Sequence, residues 1–180
     1  MMTADHPLAL LHTELGIPTD YSARYGLHLQ EEARLLVPLG LDSLGRDQFA
    51  EPATAAAWRT MQAAALTDGI VLQLVSAFRS VAYQAGLIRR KLDQGLAMEA
   101  ILAVSAAPGY SEHHTGRALD ITAPGEAVLE ETFELSAAYT WLINHAHEHG
   151  FAMSYPRDNP AGIAYEPWHW CYHASANTRI

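Results

Sequence analysis

The stretch from Glu51 to Ser80 constrains the fold more than any other. Glu51-Pro52 opens an Ala-rich run to Thr67 in which Trp58, Met61, Ala65 and Leu66 recur at helical spacing, with Pro52 suited to a first turn and Gly69 to a stop. Ile70 to Phe78 is β-branched and apolar, bounded by Gly69 and Arg79-Ser80, and has the length of a buried strand. Ser80 can cap a second helix, which carries Tyr83, Leu87, Ile88 and Leu92 on one side and ends near Gly95. A buried strand between two helices requires a sheet for that strand to join.

The remaining segments supply one. Met98 to Val104 reads as a short helix, Tyr110 to Gly116 as a loop after Pro108-Gly109, and Ala118 to Thr122 as a short strand before Pro124-Gly125. Glu134 to His149 is expected to be helical, with Leu135, Ala138, Tyr139, Leu142 and Ala146 as its buried stripe and Gly150 as its terminator. Phe151–Tyr155 and Ala164–Tyr172 read as two further strands. The first fifty residues, broken by Pro7, Gly16, Pro18, Gly26, Pro38, Gly40 and Gly45, read as a helix followed by loops or a hairpin. The expected class is α+β, with a small, mainly antiparallel sheet flanked by helices. We expect a single domain over residues 1–180, in which 1–50 pack as an N-terminal extension on a core of 51–172.

Composition narrows the function. At 180 residues and 49% hydrophobic the chain can bury a core, and its net charge of -9, from 11 basic and 20 acidic residues, offers nothing to nucleic acid or to an anionic membrane. One cysteine, Cys171, excludes an internal disulfide. The N-terminus shows no basic, then apolar, export signal, which points to the cytoplasm, and no apolar run approaches the ~18 residues of a membrane span.

A catalytic zinc site needs three His or carboxylate ligands, an open position for water, and a nearby base. His113 and Asp120 lie seven apart across a loop-to-strand junction, and Glu166 and His169 lie three apart at the start of the last strand. His114 is a rival to His113. His145, His147 and His149 sit at a helix C-terminus, where histidine is favourable without any metal. Two His and one carboxylate also suit a non-haem Fe(II) oxygenase, against which the Glu three before the last His argues.

Ser111-Glu112-His113-His114-Thr115-Gly116-Arg117-Ala118-Leu119-Asp120 fits S-x-H-x-x-G-x-A-x-D. With Tyr165-Glu166-Pro167-Trp168-His169 and Ser76-Ala77-Phe78-Arg79-Ser80 followed by Tyr83-Gln84, it resembles the VanY-type D-alanyl-D-alanine carboxypeptidases and their L,D-carboxypeptidase relatives, in the zinc-peptidase group that includes VanX and the hedgehog domain. The resemblance covers about Glu51 to Tyr172. It implies one zinc per chain on His113, Asp120 and His169, with Glu166 as general base and Arg79 near the scissile bond, on either the oxyanion or the substrate carboxylate. It implies Gln84 and Ser111, with Tyr165 and Trp168 as wall, for binding the substrate, a peptidoglycan stem peptide or muropeptide that would lose a terminal D-alanine. L,D-cleavage of tetrapeptides is the favoured specificity. Cleavage between L-Ala and D-Glu, a VanX-like dipeptidase and an inactive zinc-containing binding module are the alternatives; intact Glu166 and Arg79 argue against the last.

Overall fold

The computed structural model describes residues 6–174. Two short helices, α1 (Pro7–Leu15) and α2 (Tyr21–Tyr25), precede an antiparallel hairpin of β1 (Val37–Leu41) and β2 (Asp47–Ala50). Helix α3 (Pro52–Thr67) starts where the Glu51 carboxylate accepts from the N–H groups of Ala53 and Thr54. Pro52 fits at that first turn because its missing N–H has no helical partner to lose. After β3 (Gln73–Ser76), Ser80 caps α4 (Val81–Asp93) by accepting from Tyr83 N–H at 3.0 Å. There follow α5 (Met98–Ala103), β4 (Ala118–Thr122), α6 (Ala137–His145), β5 (Phe151–Met153) and β6 (His169–Tyr172).

The sheet runs β3-β4-β6-β5 and every pair is antiparallel, giving the α+β architecture expected. Its central strand β4 is buried throughout. Leu119 and Ile121 enter a core with Trp58 and Met61 of α3, Leu142 of α6, Phe151 and Trp170. Strand alternation then turns Asp120 to the opposite face. A second core joins Leu15 and Tyr21 to Ala85 and Ile88 of α4 and Ile101 and Leu102 of α5. Tyr21 also accepts from the Ala107 N–H at 3.0 Å, tying the N-terminal helices to the loop that leads to His113.

Four expectations need correction. The Ile70–Phe78 run pairs only over Gln73–Ser76, and of Ala164–Tyr172 only the last four residues pair, because the five-residue β4 sets the length both partners can match. Phe151–Tyr155 contracts to Phe151–Met153. Leu135 is 83% exposed rather than buried. It ends a 3-10 turn (Glu131–Leu135), and Ser136 then caps a new helix, so the stripe of α6 starts in a different phase and takes in Trp141 instead.

Candidate metal centre

Sheet register assembles most of the site. Ser76 lies opposite Asp120 across β3 and β4, and Asp120 lies opposite His169 across β4 and β6, so one row of the sheet carries three polar residues on one face. His113 comes from a 3-10 turn (Glu112–Thr115) that ends at Gly116 with φ +68°. A Cβ on Gly116 would stand 2.8 Å from the Glu51 nitrogen, so both its conformation and its close approach to the start of α3 demand glycine.

One donor atom each of His113, Asp120 and His169 lies within 4.8 Å of the others, and all three residues are buried. His113 Nδ1 donates to Ala77 O at 2.6 Å, which leaves Nε2 facing Asp120 Oδ1 at 3.3 Å. His169 uses the other nitrogen. Its Nδ1 faces the same Asp120 oxygen at 3.1 Å, while Nε2 lies 2.9 Å from Glu112 Oε2, which also accepts from Ser154 Oγ at 2.6 Å. Two imidazole nitrogens and a carboxylate oxygen converging on one buried point form a donor set that fits zinc, with each ring held from behind by an acceptor.

Burial, together with the nearby Arg79 charge, lowers His113 to about 4, against the pull of the Asp120 carboxylate at 3.3 Å. Burial also opposes ionisation of His169, but hydrogen bonds to Asp120 and Glu112 outweigh it and raise that ring to about 10. Burial works against the Asp120 charge too, yet His113 and Arg79 hold its carboxyl well below the usual range. Glu112 falls to about 2, since the hydrogen bonds and charge of His169 and the Ser154 hydroxyl overcome its burial. Glu166 moves the other way. Burial pushes it up to about 7, with the Asp120 charge adding to the effect and His169 and Arg79 opposing it.

Glu166 lies just before β6, its Oε2 3.7 Å from His169 Nδ1. Arg79, at the junction of β3 and α4, pairs with Asp120 and donates from Nε to Ser76 Oγ at 2.9 Å. A cavity of about 540 Å³ opens onto these residues and is lined also by Gln84, Ser111, Tyr165 and Trp168. Trp168 serves as wall and as core, packing on the sheet cluster. Tyr165 is clamped: its hydroxyl donates to Tyr139 at 3.0 Å and the Arg157 guanidinium stands 4.0 Å over its ring. Among the described residues Cys171 and His173 do not join the donor group.

His114 is fully buried and belongs to the scaffold. Its Nε2 accepts from Gly109 N–H at 3.0 Å, and its Nδ1 donates to Arg79 O at 2.6 Å. Sequence reasoning passed over two residues of the site. Glu112 sits in the variable slot of S-x-H, where only the need of a buried ligating histidine for an acceptor would have drawn attention to it. Lys91 lines the cavity from α4, seven residues beyond Gln84 on the same helix face.

A family model described as VanY, D-alanyl-D-alanine carboxypeptidase, matches residues 47–175. The Bacillus subtilis (strain 168) protein YodJ is 30% identical over 171 residues, 92% of this chain but 59% of YodJ, so the chain spans less than two thirds of that relative. The solved structure of the LdcB LD-carboxypeptidase is similar with a TM-score of 0.72 and 30% identity, over 79% of this chain and 70% of LdcB. The vancomycin resistance D,D-pentapeptidase VanY in complex with Zn(II) is similar with a TM-score of 0.59 and 26% identity, over 83% of this chain and 80% of that one.

Proposed function

The chain belongs to the VanY family of D-alanyl-D-alanine carboxypeptidases, and from that premise we propose that it is a zinc-dependent carboxypeptidase releasing a terminal D-alanine, or a similar D-residue, from peptidoglycan stem peptides. The observation that carries this reading is the convergence of His113, Asp120 and His169 at the floor of a cavity that also holds Glu166. Bound there, zinc would supply Lewis acidity, polarising the scissile carbonyl and acidifying a water molecule.

The chain's own residues do the rest. Glu166, poised near neutrality, takes a proton from the attacking water and returns it to the departing amine, a task that suits a carboxyl able to hold and release a proton near pH 7. Arg79 brings a guanidinium to the same space and, through Asp120, helps to fix one ligand. The two half-buried aromatics Tyr165 and Trp168 limit water at the reacting bond.

We favour L,D-cleavage of tetrapeptides over D,D-cleavage of pentapeptides. The support is the likeness, at 30% identity, to the LdcB LD-carboxypeptidase. The test is product mass after matched tetrapeptide and pentapeptide stems meet the zinc-loaded protein and Glu166→Gln. D-alanine should leave the tetrapeptide faster, and the variant should keep zinc while losing roughly 10²- to 10⁴-fold in rate. D-alanine release from the pentapeptide alone would reverse the specificity, and a fully active Glu166→Gln would remove the base from the mechanism.

A further inference from the structure

Three cations line the cavity, and two of them are already engaged. Arg79 pairs with Asp120; Arg46 donates to the buried Asp42 carboxylate at 2.7 Å and to Val75 O at 3.1 Å. Lys91 differs. Its Nζ donates to Ser105 Oγ at 2.8 Å, and among the described residues no carboxylate pairs with it. The ammonium is half buried, and burial together with the charge of Arg79 makes it harder to keep protonated, with the Glu166 carboxylate pulling the other way, so an incoming anion would relieve the remaining cost. Two turns earlier on the same face of α4, Gln84 is almost wholly buried, donates to Ala106 O at 2.8 Å, and has in Oε1 a buried acceptor with no partner among the described residues. That oxygen can take an N–H from a peptide and would repel a carboxylate.

We propose that Lys91, steadied by Ser105, is the carboxylate-reading residue of this site, forming a charge-assisted hydrogen bond with the free C-terminal carboxylate of the peptide whose last residue is removed. The assignment rests on the carboxypeptidase reading, because a carboxypeptidase must distinguish a chain end from a chain interior, and the chain end differs by one negative charge. It gives the two unshared functions of the cavity to different cations. Lys91 takes the ground-state carboxylate, and Arg79 remains for charge that develops at the scissile carbonyl.

The experiment compares wild type with Lys91→Met and Ser105→Ala, zinc-loaded, on a tetrapeptide stem with a free C-terminus and on the same peptide as its C-terminal amide. A second pair of substrates differs only at the third residue, one bearing a side-chain carboxylate and the other a lysine. Wild type should prefer the free acid to the amide by roughly 10- to 100-fold in kcat/KM, the range of one charge-assisted hydrogen bond, mostly through KM. In Lys91→Met that preference should collapse toward unity, and Ser105→Ala should weaken it in part. An acid-to-amide preference in Lys91→Met equal to that of wild type would overturn the proposal. So would a variant that instead loses only its discrimination at the third residue, since that would place the Lys91 charge on the other side of the scissile bond. If wild-type protein releases no terminal residue from any of these peptides, the carboxypeptidase reading itself fails, an outcome distinct from both. Zinc content and thermal midpoint of each variant check that a half-buried surface change has left the fold intact.

Discussion

Glu112 faces away from the metal position, yet it decides what His169 can offer there. With Nε2–H committed to Glu112 at 2.9 Å, Nδ1, the atom that faces Asp120, is the nitrogen that can give up its proton and take a metal. His113 reaches the same end through a backbone carbonyl, which no side-chain substitution can remove. His169 depends on a side chain, and Glu112→Ala would leave a buried N–H without its acceptor and free the ring to change tautomer. Zinc affinity, measured by competition with a chelator, should fall roughly 10- to 100-fold in Glu112→Ala and less in Glu112→Gln, whose amide oxygen still accepts. Equal affinity in wild type and Glu112→Ala would show that packing alone orients the ring.

At the scale of elements, the site depends on loops held against one another, and His114 is a staple between two of them. It joins the Pro108-Gly109 turn to the backbone of Arg79, and it must be neutral to do so because Nε2 acts as an acceptor. Burial lowers its pKa from the ordinary 6.5. A folded value below the unfolded one means that its contribution to stability is complete above 6.5 and is lost as pH falls from there through the folded value. Wild type should therefore lose more thermal stability between about pH 7.5 and about pH 5.5 than His114→Gln, which takes up no proton in this range. Parallel losses in the two proteins would exclude the staple as an acid-sensitive element. Local signals made the helices legible in the sequence: Pro52 and Gly69 bracket α3, and Ser80 caps α4. Strand ends were not legible, because a strand stops where its partner stops, and the extended-looking sequence from Ala164 to Trp168 meets Ala103, Tyr155 and Ile121 through single backbone hydrogen bonds rather than a ladder. Leu135 shows the same limit for helices, since one capping serine reset the phase of the stripe. His113, Asp120, Glu166 and His169 could be picked out because they fall in two fixed strings. Glu112 and Lys91 could not, as their partners Ser154 and Ser105 are met only through the fold.

For the whole molecule, the two apolar clusters close without any of the three candidate ligands: the sheet packs on α3 and α6, and α4 and α5 pack on the N-terminal helices. No helix among the described residues is long and apolar enough to cross a membrane. Zinc at about a hundredfold above its dissociation constant should add ~2.7 kcal/mol to stability and raise the thermal midpoint by roughly 5–10 °C, given ~2–4 °C per kcal/mol at this size. The chelated protein should keep its far-ultraviolet circular dichroism, and collapse of that signal on chelation would mean that the ion is part of the scaffold. The row of Ser76, Asp120 and His169 across β3, β4 and β6 has a consequence for supply. Asp120 and His169 are 49 residues apart and are brought together by strand pairing rather than by the ion, so the chain entropy of gathering them is met during folding. On the proposed zinc-dependent reading, a cell could then hold this protein finished and idle, with its activity following the availability of zinc rather than the rate of its synthesis.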